Sequence, residues 1–298
     1  MFSGSLVAIV TPMHPDGSID WPAWSRLLDG HLASGTSGVV VGGTTGESAT
    51  LGNPELVELL VRARAQTRGR LPLIAGAGSS STADTVERTR TLSAAGADAL
   101  LIVTPAYNKP TQEGLYRHFE AAAAASTVPV ILYNVPARTA VDLLPATVAR
   151  LAKLPRIVAV KEAVNTMERI SELVASVPGS FNVISGDDAT AAAAVRHGAR
   201  GVISVTANVA PAAVAQVMAA ATGGDYSLAE RLDTALQPLH QALFVEANPI
   251  PVKWAAAELG LIEQGIRLPL TWLSSAHHAM VRAALGAVTA PAARVKRA

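Results

Sequence analysis

Leu73-Ile74-Ala75-Gly76, a helix-patterned stretch opened by Ser81-Thr82-Ala83-Asp84, and then Ala99-Leu100-Leu101-Ile102-Val103 form the unit that decides the fold. A short apolar run, a helical segment and a second short run make the βαβ pattern of a parallel sheet. Working outward, the same unit recurs at intervals of roughly 20–35 residues. The other runs are Leu6 to Val10, Gly38 to Val41, Val130 to Tyr133, Ile157 to Val160, Asn182 to Ser185 and Gly201 to Val205. Eight such units predict a (β/α)8 TIM barrel. An open doubly wound sheet is the competing arrangement, but the repeats are even and no Gly-x-Gly-x-x-Gly turn follows the first run. Helix starts carry punctuation: Asn53 is read as a cap before Pro54, and Ser81 or Thr82 as one before Ala83-Asp84. From about Asp225 onward no strand-like run remains, and the chain reads as three helices broken at Pro249, Pro251 and Pro269. The organisation expected is a catalytic barrel over residues 1–224 and a C-terminal helical region over residues 225–298. The alanine-rich stretches Ala121 to Ala125 and Ala189 to Ala194 are read as good helix formers.

Composition narrows the function classes. With 298 residues, 50% of them hydrophobic and 16% charged, the chain can bury a large core and is not a disordered protein. Its 24 Lys and Arg nearly balance 23 Asp and Glu, so it carries no electrostatic footprint for nucleic acid or an anionic membrane. The terminal cluster Arg294-Val295-Lys296-Arg297 is read as a solvated end. The lack of cysteine excludes disulfides, thiolate zinc sites and cysteine nucleophiles. No apolar run approaches about 18 residues, and Leu6 to Val10 is too short for a signal-peptide core, so a cytoplasmic location is expected.

The ends of barrel strands and the loops after them are where chemistry is expected. After the second run comes Gly42-Gly43-Thr44-Thr45-Gly46-Glu47, either an N–H nest for a carboxylate or phosphate, or simply a tight turn. It is not a P-loop, because no lysine follows the last glycine. Two of the four tyrosines, Tyr107 and Tyr133, follow the fourth run and end the fifth. A phenol there either relays a proton or plugs the barrel mouth. Arg138 offers a planar fork for a carboxylate, or a surface ion pair. Lys161 ends Ile157-Val158-Ala159-Val160-Lys161, and period-two alternation sets it on one side with Ala159 and Ile157. An amine held among apolar groups is a nucleophile toward carbonyls; otherwise Lys161 is a lysine snorkelling at a strand tip. The seven histidines show no metal-ligand spacing, and adjacent His277 and His278 do not share a helix face. Gly186-Asp187-Asp188 is read as a helix cap in preference to a magnesium site.

Together these stretches resemble the dihydrodipicolinate synthase and N-acetylneuraminate lyase family of pyruvate-dependent aldolases along nearly the whole chain. The matching segments run from Gly4 to Pro12, Gly43 to Ser48, Leu132 to Pro136, Val160 to Ala163 and Phe244 to Lys253. The resemblance implies a barrel with a C-terminal helical region, assembled as a homotetramer built as a dimer of dimers. It makes Lys161 the amine that condenses with the keto carbon of pyruvate, and Tyr133 the proton shuttle. Thr45 would link Tyr133 to Tyr107, which in this family reaches into a neighbouring subunit's site. The N–H groups of Thr44 and Thr45 would hold the pyruvate carboxylate, and backbone carbonyls at Gly186 and Ile203 would line the pocket. The protonated imine is the electron sink, so no metal or other cofactor is implied.

Thr44, Thr45, Arg138 and Thr139 match the synthase branch, which joins pyruvate to L-aspartate 4-semialdehyde in lysine and diaminopimelate biosynthesis. The alternatives are a lyase of 2-keto-3-deoxy sugar acids or of sialic acid from the same family, or a non-catalytic carboxylate-binding barrel. In the lysine-inhibited branch, histidines stand at the positions of Asn53 and Leu56, asparagine at Ser80, glutamate at Asp84 and tyrosine at Ala106. All five differ here, while Ser48 and Ala49 match, which implies insensitivity to lysine feedback. The spacing of four between Ser80 and Asp84 predicts that they share a helix face.

Overall fold

A computed structural model describes residues 2–289. Eight parallel strands close in sequence order into a barrel: β1 (Gly4–Ala8), β2 (Gly38–Val41), β3 (Leu73–Gly76), β4 (Ala99–Val103), β5 (Val130–Asn134), β6 (Ile157–Glu162), β7 (Asn182–Ser185) and β8 (Gly201–Ser204). Helices α1 (Trp21–Ala33), α2 (Asn53–Thr67), α3 (Thr82–Ala94) and α4 (Gln112–Ala125) follow the first four strands. After β5 come the single turn α5 (Pro136–Thr139) and α6 (Pro145–Leu151); α7 (Met167–Ser176), α8 (Ala191–Arg196) and α9 (Pro211–Thr222) complete the outer ring. Three further helices, α10 (Tyr226–Ala242), α11 (Ile250–Glu258) and α12 (Ser275–Thr289), form the expected C-terminal region. The Arg294 to Arg297 cluster lies outside the described residues. Among the described residues, no helix is long and apolar enough to cross a membrane.

Alternation along the strands builds two buried layers. Leu6 and Ala8 of β1, Val40 of β2, Ile74 of β3 and Ile184 of β7 belong to the barrel interior. Their neighbours Val7, Val39, Leu73 and Val183 belong to the layer beneath the helices. Each fully buried aliphatic side chain contributes about 1.5–3 kcal/mol, so the two layers fix the register of the strands. Short polar caps start the helices: Asp20 Oδ1 accepts from Ala23 N at 2.9 Å, Ser81 Oγ from Asp84 N at 3.3 Å, and Asp225 Oδ1 from Leu228 N at 3.0 Å.

The structure corrects several local expectations. The first strand starts at Gly4 and ends at Ala8; Val10 N instead donates to the Asn208 side chain at 2.8 Å. The cap before α2 is Gly52, with Asn53 already helical, because the Glu55 carboxylate reaches back to Gly52 N at 2.8 Å. Ser80 precedes the Ser81 cap, so it is not on a helix face with Asp84. Pro251 sits in the first turn of α11, where a missing N–H costs nothing, and does not break it. Ile157 lies opposite Val130 and Ala159 opposite Ile131, so a bulge absorbs Val158. Ile157 therefore packs in the outer layer, and of the two expected neighbours it is Ala159 that shares the interior side with Lys161, with Val158 packing against the same interior cluster.

Candidate active site

The bulge in β6 has a consequence at the barrel mouth, because it sets the register in which Tyr133 of β5 lies opposite Lys161 of β6. Both side chains turn inward and are buried; Lys161 is 5% exposed. The Lys161 Nζ lies 4.4 Å from the centroid of the Tyr133 ring. Among the described residues, no carboxylate forms a salt bridge with Lys161 or with Arg138. Gly186, just after β7, leaves room beside the lysine stem: a Cβ there would crowd it, standing 3.1 Å from Lys161 Cε and 3.0 Å from the Glu162 carbonyl oxygen.

A cavity of about 420 Å³ opens above this pair, bordered by Thr44, Thr45, Tyr133, Arg138, Lys161 and Gly186 together with Asp187, Val205, Phe244 and Asn248. Six of the expected site residues thus face one space. Ile203 is buried two residues deeper on β8, where it packs in the barrel interior. Tyr107 does not border the cavity of its own chain: it is 93% exposed, in the left-handed region at φ 76°, with its N–H 3.4 Å from the Thr139 carbonyl.

The Gly42 to Glu47 segment is a folded turn in which Gly46 N and Ser48 N donate to Gly43 O, and Glu47 N to Thr44 O. Among the described residues, the N–H groups of Thr44 and Thr45 donate to no protein acceptor, so two donors remain at the cavity edge. The turn fits because β3 ends in glycine: a Cβ on Gly76 would lie 2.1 Å from Gly42 O. The Thr45 hydroxyl accepts from Asn248 Nδ2 at 3.0 Å; within one chain it is hydrogen-bonded to neither tyrosine. The Asn248 carbonyl accepts from Arg138 Nη2 at 3.2 Å, and its buried Oδ1 has no partner among the described residues. Asp187 accepts from the N–H and hydroxyl of Thr190, which itself stands at the cap position of α8, so the expected Asp cap is corrected: the carboxylate ties down the turn before the helix. Asp188 does something else: its carboxylate binds Ser204 Oγ, Val205 N and Thr206 N, fixing the loop after β8.

Residues without an expected role surround the site. Directly after Tyr133 and Lys161, the facing pair Asn134 and Glu162 points outward. Asn134 Nδ2 lies 3.1 Å from both Glu162 oxygens and 2.7 Å from Asp142 Oδ1, and Val164 N donates to Glu162 at 2.7 Å. Arg169 grips Asp142 at 2.5 Å and stands 3.6 Å from Glu162. Burial dominates at Glu162 and pushes its carboxyl up to about 7, against the pull of those donors and Arg169. At Asp142 burial also acts upward, but the hydrogen bonds from Arg169 and Asn134 outweigh it and hold the carboxyl below its usual value. Behind the turn, Glu47 is paired with Lys253, whose burial lowers its pKa while Glu47 opposes the shift. The matched segment ending at Lys253 was the available signal; its partners lie too far away in sequence for spacing to reveal.

One cluster lies elsewhere. His14, Asp20 and Glu263 bring ligand-type atoms within 4.8 Å of one another. Asp20 is engaged in capping α1, and His14 pairs with Glu263 at 3.1 Å on the surface.

With this geometry in view, the chain matches the model of the Dihydrodipicolinate synthetase family over residues 1–288. It is 53% identical to the 4-hydroxy-tetrahydrodipicolinate synthase of Stutzerimonas stutzeri over 285 residues, 96% of this chain and 98% of that one. The crystal structure of the chloride-inhibited dihydrodipicolinate synthase from Acinetobacter baumannii, complexed with pyruvate, superposes with a TM-score of 0.95 at 47% identity. That match covers 97% of this chain and 99% of the other. The enzyme from Cyanidioschyzon merolae, solved with lysine bound, has a TM-score of 0.93 at 35% identity over 96% of this chain and 98% of its own. The chain belongs to the dihydrodipicolinate synthetase family.

Proposed function

We propose that this chain is a lyase that condenses pyruvate with L-aspartate 4-semialdehyde to 4-hydroxy-tetrahydrodipicolinate, a step of lysine and diaminopimelate biosynthesis, through a Schiff base on Lys161. The observation that carries the mechanism is a buried amine, free of any carboxylate partner among the described residues, facing a phenol across one strand pair. The Lys161 amine attacks the keto carbon of pyruvate, and loss of water from the carbinolamine leaves an imine. Tyr133 delivers and recovers the protons of that dehydration and of the enamine attack on the aldehyde. The N–H groups of Thr44 and Thr45 hold the pyruvate carboxylate, supported by their lack of other acceptors. Arg138 takes the carboxylate of the aldehyde, and the carbonyls of Gly186 and Ile203 complete the pocket. The reaction needs no metal, since the imine itself withdraws electrons.

The active unit is a homo-oligomer, a tetramer built as a dimer of dimers, in which Tyr107 serves the site of a neighbouring copy through Thr45. Its near-complete exposure, on a backbone step that an ordinary residue avoids, supports that role. The enzyme is insensitive to lysine: Leu56 is buried against Gly42, and the Ser80 hydroxyl is already donated to the Ala106 carbonyl at 2.9 Å. Borohydride reduction in the presence of pyruvate tests the mechanism. The adduct is expected on the Lys161 peptide by mass spectrometry, and a label on another lysine, or none, sinks the Schiff-base reading.

A further inference from the structure

We propose that Glu47 and Lys253 are positioning residues for the keto acid: their buried ion pair, closed by the backbone N–H of Arg267, holds the Gly42 to Ser48 turn in the form that leaves the Thr44 and Thr45 N–H groups free. This rests on the reading of that turn as the keto-acid site. Neither side chain borders the cavity, so both act through the turn.

Glu47 sits in the left-handed region at φ 59°, a conformation that a residue with a Cβ adopts only where its surroundings impose it. Its N–H is the donor that folds Thr44 O back at 3.1 Å. Glu47 is 4% exposed, and a carboxylate in that place needs a partner. One oxygen meets the Nζ of Lys253, which is 0% exposed on α11, and the other accepts from Arg267 N at 3.0 Å. The grip extends along the loop. Arg267 donates to Thr50 O at 2.8 Å and to both oxygens of Glu55, at 2.8 and 2.5 Å; Glu55 in turn caps α2 at Gly52 N. Asn248, just before α11, holds the Thr45 hydroxyl. The C-terminal segment from Asn248 to Arg267 is thereby the back wall of a turn some 200 residues earlier.

Without the Lys253 ammonium, the Glu47 carboxylate is buried and unpaired, and it reaches water only if the turn opens. Opening moves Thr44 O and with it the two free N–H groups. The loss falls on the keto acid, because Arg138 is held by the backbone carbonyl of Asn248 and not by the turn.

The test uses Lys253→Met in the full chain and reads the pyruvate concentration that gives half-maximal borohydride trapping on Lys161, with no aldehyde present. A rise of about tenfold is expected, with the limiting trapped fraction unchanged and the KM for the aldehyde within about threefold of the parent. Glu47→Gln keeps the shape and the acceptor for Arg267 N while dropping the charge; it is expected to rise by about threefold, and it decides alone if Lys253→Met does not fold. Folded variants whose half-saturation stays within about twofold overturn the inference, as does an equal rise in the pyruvate and aldehyde constants, which marks general loosening. A parent that is not trapped on Lys161 is a different failure, that of the functional reading itself.

Discussion

Replacing Glu162 by Gln should make the protein more stable at pH 8 than at pH 4.5 relative to the parent, and the size of the change follows from the site. The carboxyl is raised from 4.5 to about 7, chiefly by burial. That difference corresponds to about 3 kcal/mol between the two protonation states. Below pH 4.5 the group is protonated in both folded and unfolded chains and adds no pH dependence. Between 4.5 and 7 the unfolded chain has released the proton while the folded one keeps it, so stability falls as pH rises through this window. Above 7 the ionised carboxylate leaves a constant penalty. Buried His31 and His118 work in the opposite sense: burial lowers both to about 4, so their stabilising share is lost as pH falls from 6.5 to 4. The parent's own curve mixes these signs, and the difference between parent and variant isolates Glu162. The substituted amide would keep an oxygen for Val164 N and would carry no charge at any pH. Urea unfolding at fixed protein concentration, at pH 4.5, 6 and 8, should show the stability difference growing by about 3 kcal/mol in favour of the variant. A difference constant to within about 0.5 kcal/mol would refute the argument that Glu162 titrates near neutrality in the folded state.

Arg138→Ala should lower the specificity constant for aspartate semialdehyde by roughly 30- to 1000-fold, the loss of about 2–4 kcal/mol from a charge-assisted bidentate contact, while pyruvate trapping on Lys161 stays near the parent level. Equal loss in both would assign Arg138 a structural role through Asn248. Mixing inactive Tyr107→Phe and Lys161→Ala subunits should restore part of the activity, because one site of a hybrid dimer draws an intact Lys161 from one copy and an intact Tyr107 from the other. No rescue after verified subunit exchange would remove Tyr107 from the neighbour's site. Titrating L-lysine into the millimolar range at subsaturating pyruvate should leave the rate nearly unchanged; clear inhibition below about 1 mM, an affinity of roughly −4 kcal/mol, would show that the substituted residues rebuild a binding site.

What the sequence exposes and what it hides follow from the range of the forces involved. Strand β3 and strand β4 are legible to the residue, because an apolar run bounded by turn residues is a local signal and burial on both faces demands it. Lys161 and Tyr133 are legible as strand-end residues for the same reason, and their meeting follows once the barrel order is known. The side of Ile157 is not legible: one bulge residue, Val158, inverts the alternation, and nothing in a two-residue period announces it. The cap of α2 fails differently, since Asn53 is a good cap by type but Glu55 offers its carboxylate to Gly52 N, and two competing local bonds differ by less than propensity can resolve. Least legible are the pairs that join the two ends of the chain. Glu47 and Lys253 are separated by 206 residues, and each read alone is an ordinary charged residue with a preference for the surface. Their burial becomes intelligible only together, because each supplies the charge that makes the other's desolvation tolerable. The helical region after Asp225 is therefore more than an appendage to the barrel: through Asn248, Lys253 and Arg267 it completes the wall on which the Gly42 to Ser48 turn rests.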